Sequence, residues 1–247
     1  MTTPLQAVVV CGGMGTRLRG LHPGVPKALV RVAGRPFIEW QIEWLARGGI
    51  RHVHLAAGYL AKAVQALAEN EFTGTESGVS LTCSAEPAPL GTGGGLRFVE
   101  PFIRSDPFLV INGDSLLPNL DWSRLRESFQ PLERSVPEVS NPWTVLAVTR
   151  IGESGRYGTV EFDERGRITA FREKAEREGG WVNGGVYRMN RAVLDLIPPD
   201  RGASLESDVF PRMARAGQLR AFEAPPPLLD MGTPEGLSVL ERFLSGD

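Results

Sequence analysis

Cysteine and histidine are scarce in this chain, and both shortages narrow its chemistry. Only two cysteines occur, Cys11 and Cys83, each inside an apolar run with no partner at metal-ligand spacing, so they read as small buried side chains and no disulfide is expected. The three histidines are His22 in a loop-like stretch and His52 and His54 on either side of Val53 in a strand-like one, which places none of them as a general base. No apolar stretch approaches the roughly 18 residues of a membrane span. The start MTTPLQ also lacks a charged segment followed by an apolar core, so a cytoplasmic protein with no membrane partner is the expectation. An excess of one charge is missing too. With 27 Lys and Arg against 29 Asp and Glu, a formal net charge of -2 and no basic block, nothing draws the chain to nucleic acid, and its cations act locally. There is no internal repeat, in particular no six-residue periodicity of the kind that builds a left-handed β-helix.

Two familiar phosphate-binding motifs are absent as well. No GK[ST] closes the glycine-rich loop near the start, and Leu18 stands where G-x-G-x-x-G needs its third glycine. What is there is the run AVVVCGGMGTRL, from Ala7 to Leu18. Val8, Val9 and Val10 suit a strand covered on both faces, while Gly12, Gly13 and Gly15 let the backbone turn sharply and bring its N–H groups close to an anion. Thr16 continues the loop and Arg17 adds a fixed positive fork. Such a loop by itself is equally a plain tight turn. The continuation HPGVPKALVRVAGRPFIEW weighs against that reading, because Pro26 is expected to hold Lys27 in an extended segment, so that two cations and a row of amides face one polyanion.

Strand-like runs recur at Val8–Val10, Val53–Leu55, Leu81–Ser84 and Phe108–Ile111, separated by helical patterns at Phe37–Arg47 and Leu60–Glu69. In the first of these helices the apolar residues fall at three- and four-residue steps, and Gly48-Gly49 supplies the stop. Gln130–Pro142, rich in Pro, Ser and Glu, reads as an exposed loop. Strand-like Trp143–Thr149 follows, then Gly158–Phe162, Arg167–Phe171 and Trp181–Met189, with Asp163-Glu164-Arg165-Gly166 as a hairpin turn. The pattern is that of a single-domain α/β protein, a Rossmann-like mixed sheet flanked by helices.

Taken together, GGMGTRL, PKALVRVAGRPFIEW, EPAPLGTGGGL, NGDS, FREKAE, VNGGVY and LLDMGTPEGL occur in the order found in the sugar 1-phosphate nucleotidylyltransferases, which the chain resembles nearly end to end. Within that family, RYGTVEFDERGRITAFREK, WVNGGVYRMN and SLESDVFP look most like the D-glycero-α-D-manno-heptose 1-phosphate guanylyltransferase branch. The resemblance implies a nucleotide-diphospho-sugar transferase fold across residues 1–247, with a nucleotide-binding half to about residue 115 and a sugar-phosphate-binding half from about 116. It implies attack of a sugar 1-phosphate oxygen on the α-phosphorus of GTP, with Mg²⁺, giving a nucleotide sugar and pyrophosphate. Glucose, mannose or N-acetylhexosamine 1-phosphate with UTP, CTP, dTTP or ATP is the alternative in the same class, and a non-catalytic nucleotide-sugar-binding regulator is the alternative in another. Self-association into a homo-oligomer is left open.

Both reactants are anions, so charge neutralisation and positioning carry such a reaction, and an already ionised phosphate oxygen needs no base. Asp114, at the end of the apolar run Phe108–Ile111, and Asp230, ending Leu228-Leu229, match the two metal-holding aspartates of the family. For Asp230 an N-cap role before Thr233-Pro234-Glu235 is the competing reading. Arg17 matches the arginine that grips the departing pyrophosphate, Lys27 the lysine on triphosphate oxygens and Lys174 the lysine on the sugar phosphate, although Arg172 through Arg177 also alternates charge as an exposed turn would. The resemblance puts Cys11, Gly12, Gly13, Gly15 and Thr16 around the phosphates and Glu86, Leu90, Gly91 and Thr92 around the base, with Glu86 able to accept from guanine. It puts Asn112, Gly158, Glu173, Asn183 and Gly184 around the sugar; glycines in such strands also mark bulges. Gly93-Gly94 stands where many relatives have Ala-Gly, and Cys11 where many have alanine.

Overall fold

The valine run does form a strand, β1 (Gln6–Cys11), and Ala7, Val8, Val9 and Cys11 are buried. Successive side chains on a strand point to opposite faces, so Ala7, Val9 and Cys11 enter one hydrophobic core and Val8 enters a second on the other face. Each fully buried valine contributes about 1.5–3 kcal/mol. This computed structural model describes residues 5–13, 15, 22–70, 78–128, 141–153, 157–172, 178–199 and 201–246; the expected loop Gln130–Pro142, except its last two residues, lies outside them.

After β1 come β2 (Arg31–Val32), β3 (Arg35–Pro36), α1 (Phe37–Arg47), β4 (His52–Ala57), α2 (Ala61–Asn70), β5 (Ser80–Ala85), α3 (Gly91–Phe98), β6 (Phe108–Asn112), β7 (Ser115–Leu116) and α4 (Trp122–Glu127). The second part adds β8 (Thr144–Glu153), β9 (Thr159–Phe162), β10 (Ile168–Arg172), β11 (Glu178–Met189), a single π-helical turn at Leu205–Val209, α5 (Phe210–Arg215), β12 (Leu219–Glu223), β13 (Leu229–Asp230) and α6 (Pro234–Ser245). Nine of these strands make one mixed sheet. Strands β5, β4, β1 and β6 lie side by side and parallel, and β11 joins β6 antiparallel. The chain thus runs outward from β1 to β4 and β5, then returns to the other side of β1 as β6. The reversal leaves a crevice at the carboxyl ends of β1 and β6, where open α/β sheets take their ligands. Among the described residues, no helix is long and apolar enough to cross a membrane.

Local chemistry explains the elements that flank this crevice. Helix α1 buries Phe37, Ile38, Gln41, Ile42, Trp44 and Leu45 along one stripe, then stops at Gly48 and at Gly49, whose φ of 74° suits only a residue without a Cβ. The β9–β10 hairpin turns at Asp163–Gly166 as expected, with Asp163 Oδ1 accepting from the amides of Arg165 and Arg167 at 2.9 Å each. Helix α6 is capped by Thr233, whose hydroxyl accepts from the Gly236 amide at 3.1 Å. One local expectation is corrected. Pro26 itself is extended, with φ -64° and ψ 142°, but Lys27 opens a 3-10 turn, Lys27–Leu29, closed by the Leu29 amide on the Pro26 carbonyl at 2.8 Å. Proline restricts the residue before it, and the residue after it stays free to turn.

Candidate active site

A cleft of about 450 Å³ opens at the crevice. One wall is Cys11, Gly12, Gly13, Gly15 and Lys27, and the other includes Glu86, Gly91, Thr92 and Gly95. Asn112, Gly113 and Asp114 line it from the end of β6. The described residues expected around a nucleotide therefore converge, with one exception. Leu90 is not on the wall: its carbonyl accepts from the Ala203 amide at 2.8 Å, tying the turn before α3 to the segment before the π-helical turn. Thr16, Arg17, Glu173 and Lys174 lie outside the described residues.

Close packing dictates two of the glycines. A Cβ on Gly12 would stand 2.6 Å from Glu86 Oε1, and one on Gly58, at the end of β4, would stand 2.6 Å from the Gly12 carbonyl oxygen. The Glu86 carboxylate is thus wedged beside two glycines where it reaches the cleft. Burial raises its pKa, against the Leu90 N–H that it accepts. Gly13 differs, being exposed, with no described atom within 4 Å of a Cβ built there. Cys11 donates its thiol to the Ala56 carbonyl at 3.4 Å, and burial pushes the thiol far above its usual pKa, so it serves as cleft wall and not as a nucleophile.

Asp114 and Asp230 come together through β7 and β13. Asp230 sits opposite Ser115 in that two-stranded ladder, and the Met231 amide donates to the Asp114 carbonyl at 3.0 Å. The Asp114 carboxylate takes the Lys27 ammonium at 2.6 Å and the Ser115 hydroxyl at 3.0 Å. Burial, the largest single influence, works against its ionisation, but Lys27, the Ser115 hydroxyl and a backbone hydrogen bond together hold its pKa below the usual carboxylate range. Asp230 shows the opposite balance: burial first, and then the charge of Asp114, raise its pKa, while Lys27, the Gly232 amide and the Tyr157 hydroxyl act against them. Thr233 caps α6, so Asp230 is not its N-cap. Two carboxylates against one ammonium leave an excess of negative charge in hard oxygen donors, a set that suits a divalent cation such as Mg²⁺. No group of three or more His, Cys, Asp or Glu side chains suited to a metal occurs among the described residues, so substrate oxygens or water would complete the shell.

The residues expected around the sugar separate into two places. Asn112 lines the cleft, whereas Gly158, just before β9, meets Asn183 of β11, with the Asn183 amide donating to the Gly158 carbonyl at 2.9 Å. The register of β11 on β8 shifts between Asn183 and Tyr187, and a Cβ on Gly184 would meet Leu117 Cδ1 at 2.7 Å and the Ala147 carbonyl oxygen at 2.9 Å. Gly184 therefore marks a bulge and a close approach. The Asn183 side chain is engaged internally: Nδ2 donates to the Tyr187 hydroxyl at 2.9 Å and Oδ1 accepts from the Gly185 amide at 2.9 Å. Tyr187 in turn donates to Glu206 Oε1 at 3.2 Å, and Glu206 Oε2 accepts from Thr92 at 2.6 Å and Ser204 at 2.9 Å. A polar chain thus runs from the cleft wall to the bulge.

The sequence reading missed Gln41, Tyr157, Tyr187 and Glu206. For Gln41 a signal was present, namely an amide inside the apolar stripe of a helix. Glu206 and Tyr187 carried no comparable local mark, because their partners come from three separate segments.

The sequence pattern of the nucleotidyl transferase family matches residues 6–245. A mannose-1-phosphate guanylyltransferase of Mycobacterium tuberculosis is 35% identical over 238 residues, 95% of this chain and 63% of that protein, so the chain spans less than two thirds of that relative's length. The D-glycero-alpha-D-manno-heptose 1-phosphate guanylyltransferase of Campylobacter jejuni is 29% identical over 231 residues, 94% of this chain and 96% of that one. The crystal structure of HddC from Yersinia pseudotuberculosis has a TM-score of 0.79 and 26% identity, covering 97% of this chain and 99% of that one. The same HddC complexed with GMP-PN matches with a TM-score of 0.79 at 25% identity and the same coverage. With the family pattern spanning residues 6–245, the chain belongs to the nucleotidyl transferase family.

Proposed function

We propose that this protein is a sugar 1-phosphate guanylyltransferase, joining GTP to D-glycero-α-D-manno-heptose 1-phosphate and releasing pyrophosphate. The observation that carries the reaction class is the meeting of Lys27, Asp114 and Asp230 beside a glycine-walled cleft at the carboxyl ends of β1 and β6. The Gly12, Gly13 and Gly15 backbone would cradle the triphosphate, and the Lys27 ammonium would offset its charge as the nucleophile approaches. Asp114 and Asp230 would hold Mg²⁺, which when bound neutralises phosphate oxygens. A sugar phosphate oxygen attacks the α-phosphorus, and the bond to the bridging oxygen of pyrophosphate breaks. Arg17 on the leaving group and Lys174 with Glu173 on the sugar phosphate are assigned from the sequence motifs.

Glu86 supports guanine as the base, because its carboxylate at the cleft can accept from the two donors on guanine's Watson–Crick edge. The names of the relatives support the same base, and they divide over the sugar. Mannose 1-phosphate is the second reading, favoured by the 35% identity to the mycobacterial enzyme.

The test is a grid of GTP, ATP, UTP, CTP and dTTP against heptose, mannose, glucose and N-acetylglucosamine 1-phosphates, read by pyrophosphate release with and without Mg²⁺. The fastest release is expected with GTP and the heptose phosphate in Mg²⁺. A preference for mannose 1-phosphate replaces the sugar, a preference for another triphosphate removes Glu86 as a guanine acceptor, and no release from any pair overturns the reading.

A further inference from the structure

Gln41 is completely buried among the apolar residues of the α1 stripe. An amide in such a place costs free energy unless it is hydrogen-bonded. Its Nε2 donates twice, to the Asn112 carbonyl at 2.9 Å and to the Ser115 carbonyl at 2.8 Å. These two carbonyls bracket Gly113-Asp114, so one side chain spans the turn between β6 and β7. The turn is held on two further sides. The Gly113 amide donates to the Val10 carbonyl at 2.9 Å, with Gly113 packed too tightly on Cys11 to admit a Cβ, and the Met231 amide donates to the Asp114 carbonyl. Gln41 supplies the clamp from the helix layer.

The other end of the amide says why the clamp matters. Gln41 Oε1 is buried and has no hydrogen-bond partner among the described residues. A leucine or methionine would fill the stripe without burying an orphan oxygen, so packing by itself does not account for a glutamine here. We propose that Gln41 is a positioning residue that fixes the turn between β6 and β7 so that the Asp114 carboxylate faces Lys27 and the strand carrying Asp230. Gln41 does not line the cleft, so its effect on the site passes through the turn. This inference rests on the reading of Asp114 as a metal-holding carboxylate, and the experiment separates the two.

Gln41→Met keeps the length of the side chain and removes both donors. Binding of Mn²⁺ is measured by electron paramagnetic resonance in the presence of an α,β-methylene analogue of GTP, beside the thermal unfolding midpoint and steady-state kinetics. Loss of an outer partner of a metal ligand typically weakens metal affinity or activity by about 10–100-fold. We expect the Mn²⁺ Kd to rise and kcat to fall by at least about tenfold, with the KM for GTP changed less than about twofold. Leu45→Val, in the same buried stripe but away from the turn, lowers the midpoint and leaves the Mn²⁺ Kd as it was. Gln41→Asn, which keeps the amide but falls one methylene short, behaves as Gln41→Met and replaces it should that variant not fold. If Asp114→Asn binds Mn²⁺ like the parent protein, the metal reading itself fails. If Asp114→Asn loses Mn²⁺ while Gln41→Met and Gln41→Asn bind it normally and turn over at the parent rate, Gln41 is packing only and the inference is overturned.

Discussion

The Lys27 ammonium nitrogen lies 2.6 Å from Asp114 Oδ2, joining the segment after the glycine loop to the end of β6 across 87 residues of sequence. Both side chains are partly shielded from water, at 16% and 35% exposure, so the pair sits between a surface salt bridge and a buried one. Lys27→Met leaves Asp114 beside Asp230 with no described cation in their contact. We expect a loss of about 1–2 kcal/mol, intermediate between exposed and buried pairs. Turnover should fall by at least about 100-fold, as when a charge-stabilising donor is removed from a reaction centre. Urea unfolding and pyrophosphate release check both numbers, and a variant that is as stable and active as the parent removes Lys27 from the site.

Asp230 gives a prediction of opposite sign for stability. Its pKa is raised by burial and by Asp114, so ionising it weakens the metal-free fold as pH rises through its native value. Asp230→Asn retains an acceptor for the Gly232 amide and removes the charge. The unfolding midpoint at neutral pH without divalent cations should rise by about 1–3 °C, corresponding to roughly 0.5–1 kcal/mol. Activity in Mg²⁺ should collapse in the same variant. A lowered midpoint would mean that the carboxylate is a structural acceptor before it is anything else.

Gly58 and Gly13 should respond to alanine in different ways. In Gly58→Ala the new Cβ meets the Gly12 carbonyl oxygen at 2.6 Å and the Gly12 Cα at 2.8 Å, backbone that cannot swing aside. A cost of about 1–3 kcal/mol is expected, as for overpacking generally. Gly13→Ala meets no described atom within 4 Å, so stability stays within about 0.5 kcal/mol. There the effect falls on the KM for the triphosphate. Thermal melts and initial rates separate the two; equal melting losses would show that the loop is packed for stability throughout.

His54 should make the protein acid-sensitive. Its imidazole is buried between Thr82 Oγ1 at 2.8 Å and Ser84 Oγ at 2.7 Å, and stacks on Phe102. Burial, with the Arg104 charge as the smaller cause, lowers its pKa from 6.5 to about 4. The unfolded chain therefore binds this proton first as pH falls, so stability present above about pH 6.5 drains away down to about pH 4, by roughly 3 kcal/mol. Urea unfolding from pH 7.5 to 4.5 should show a steeper loss in the parent than in His54→Gln. Parallel curves would mean that the imidazole takes up its proton equally readily in the folded and the unfolded chain.

Much of the site was open to reading from local patterns. Three consecutive valines before three glycines suit a covered strand and a permissive turn, and Asp114 and Asp230 each follow an apolar run. Periodicity likewise marked α1, because the spacing of its apolar residues depends only on helix geometry. Such features are properties of a few neighbouring residues. They survive transfer from chain to fold because backbone sterics and burial act at that range.

What the tertiary structure decided is who meets whom. The pairing of β7 with β13 sets Asp114 beside Asp230, and the return of the chain across β1 sets Lys27 against Asp114. No spacing in the sequence encodes either contact. Glu206 could not be singled out beforehand, since Thr92, Ser204 and Tyr187 reach it from separate elements. The two acceptors of Gln41, the Asn112 and Ser115 carbonyls, reach it only once the turn between β6 and β7 is packed on α1. Side-chain identity determines what an element can bury or donate, but only the packing of distant elements creates the shared, water-poor space in which those donors and charges act on one another.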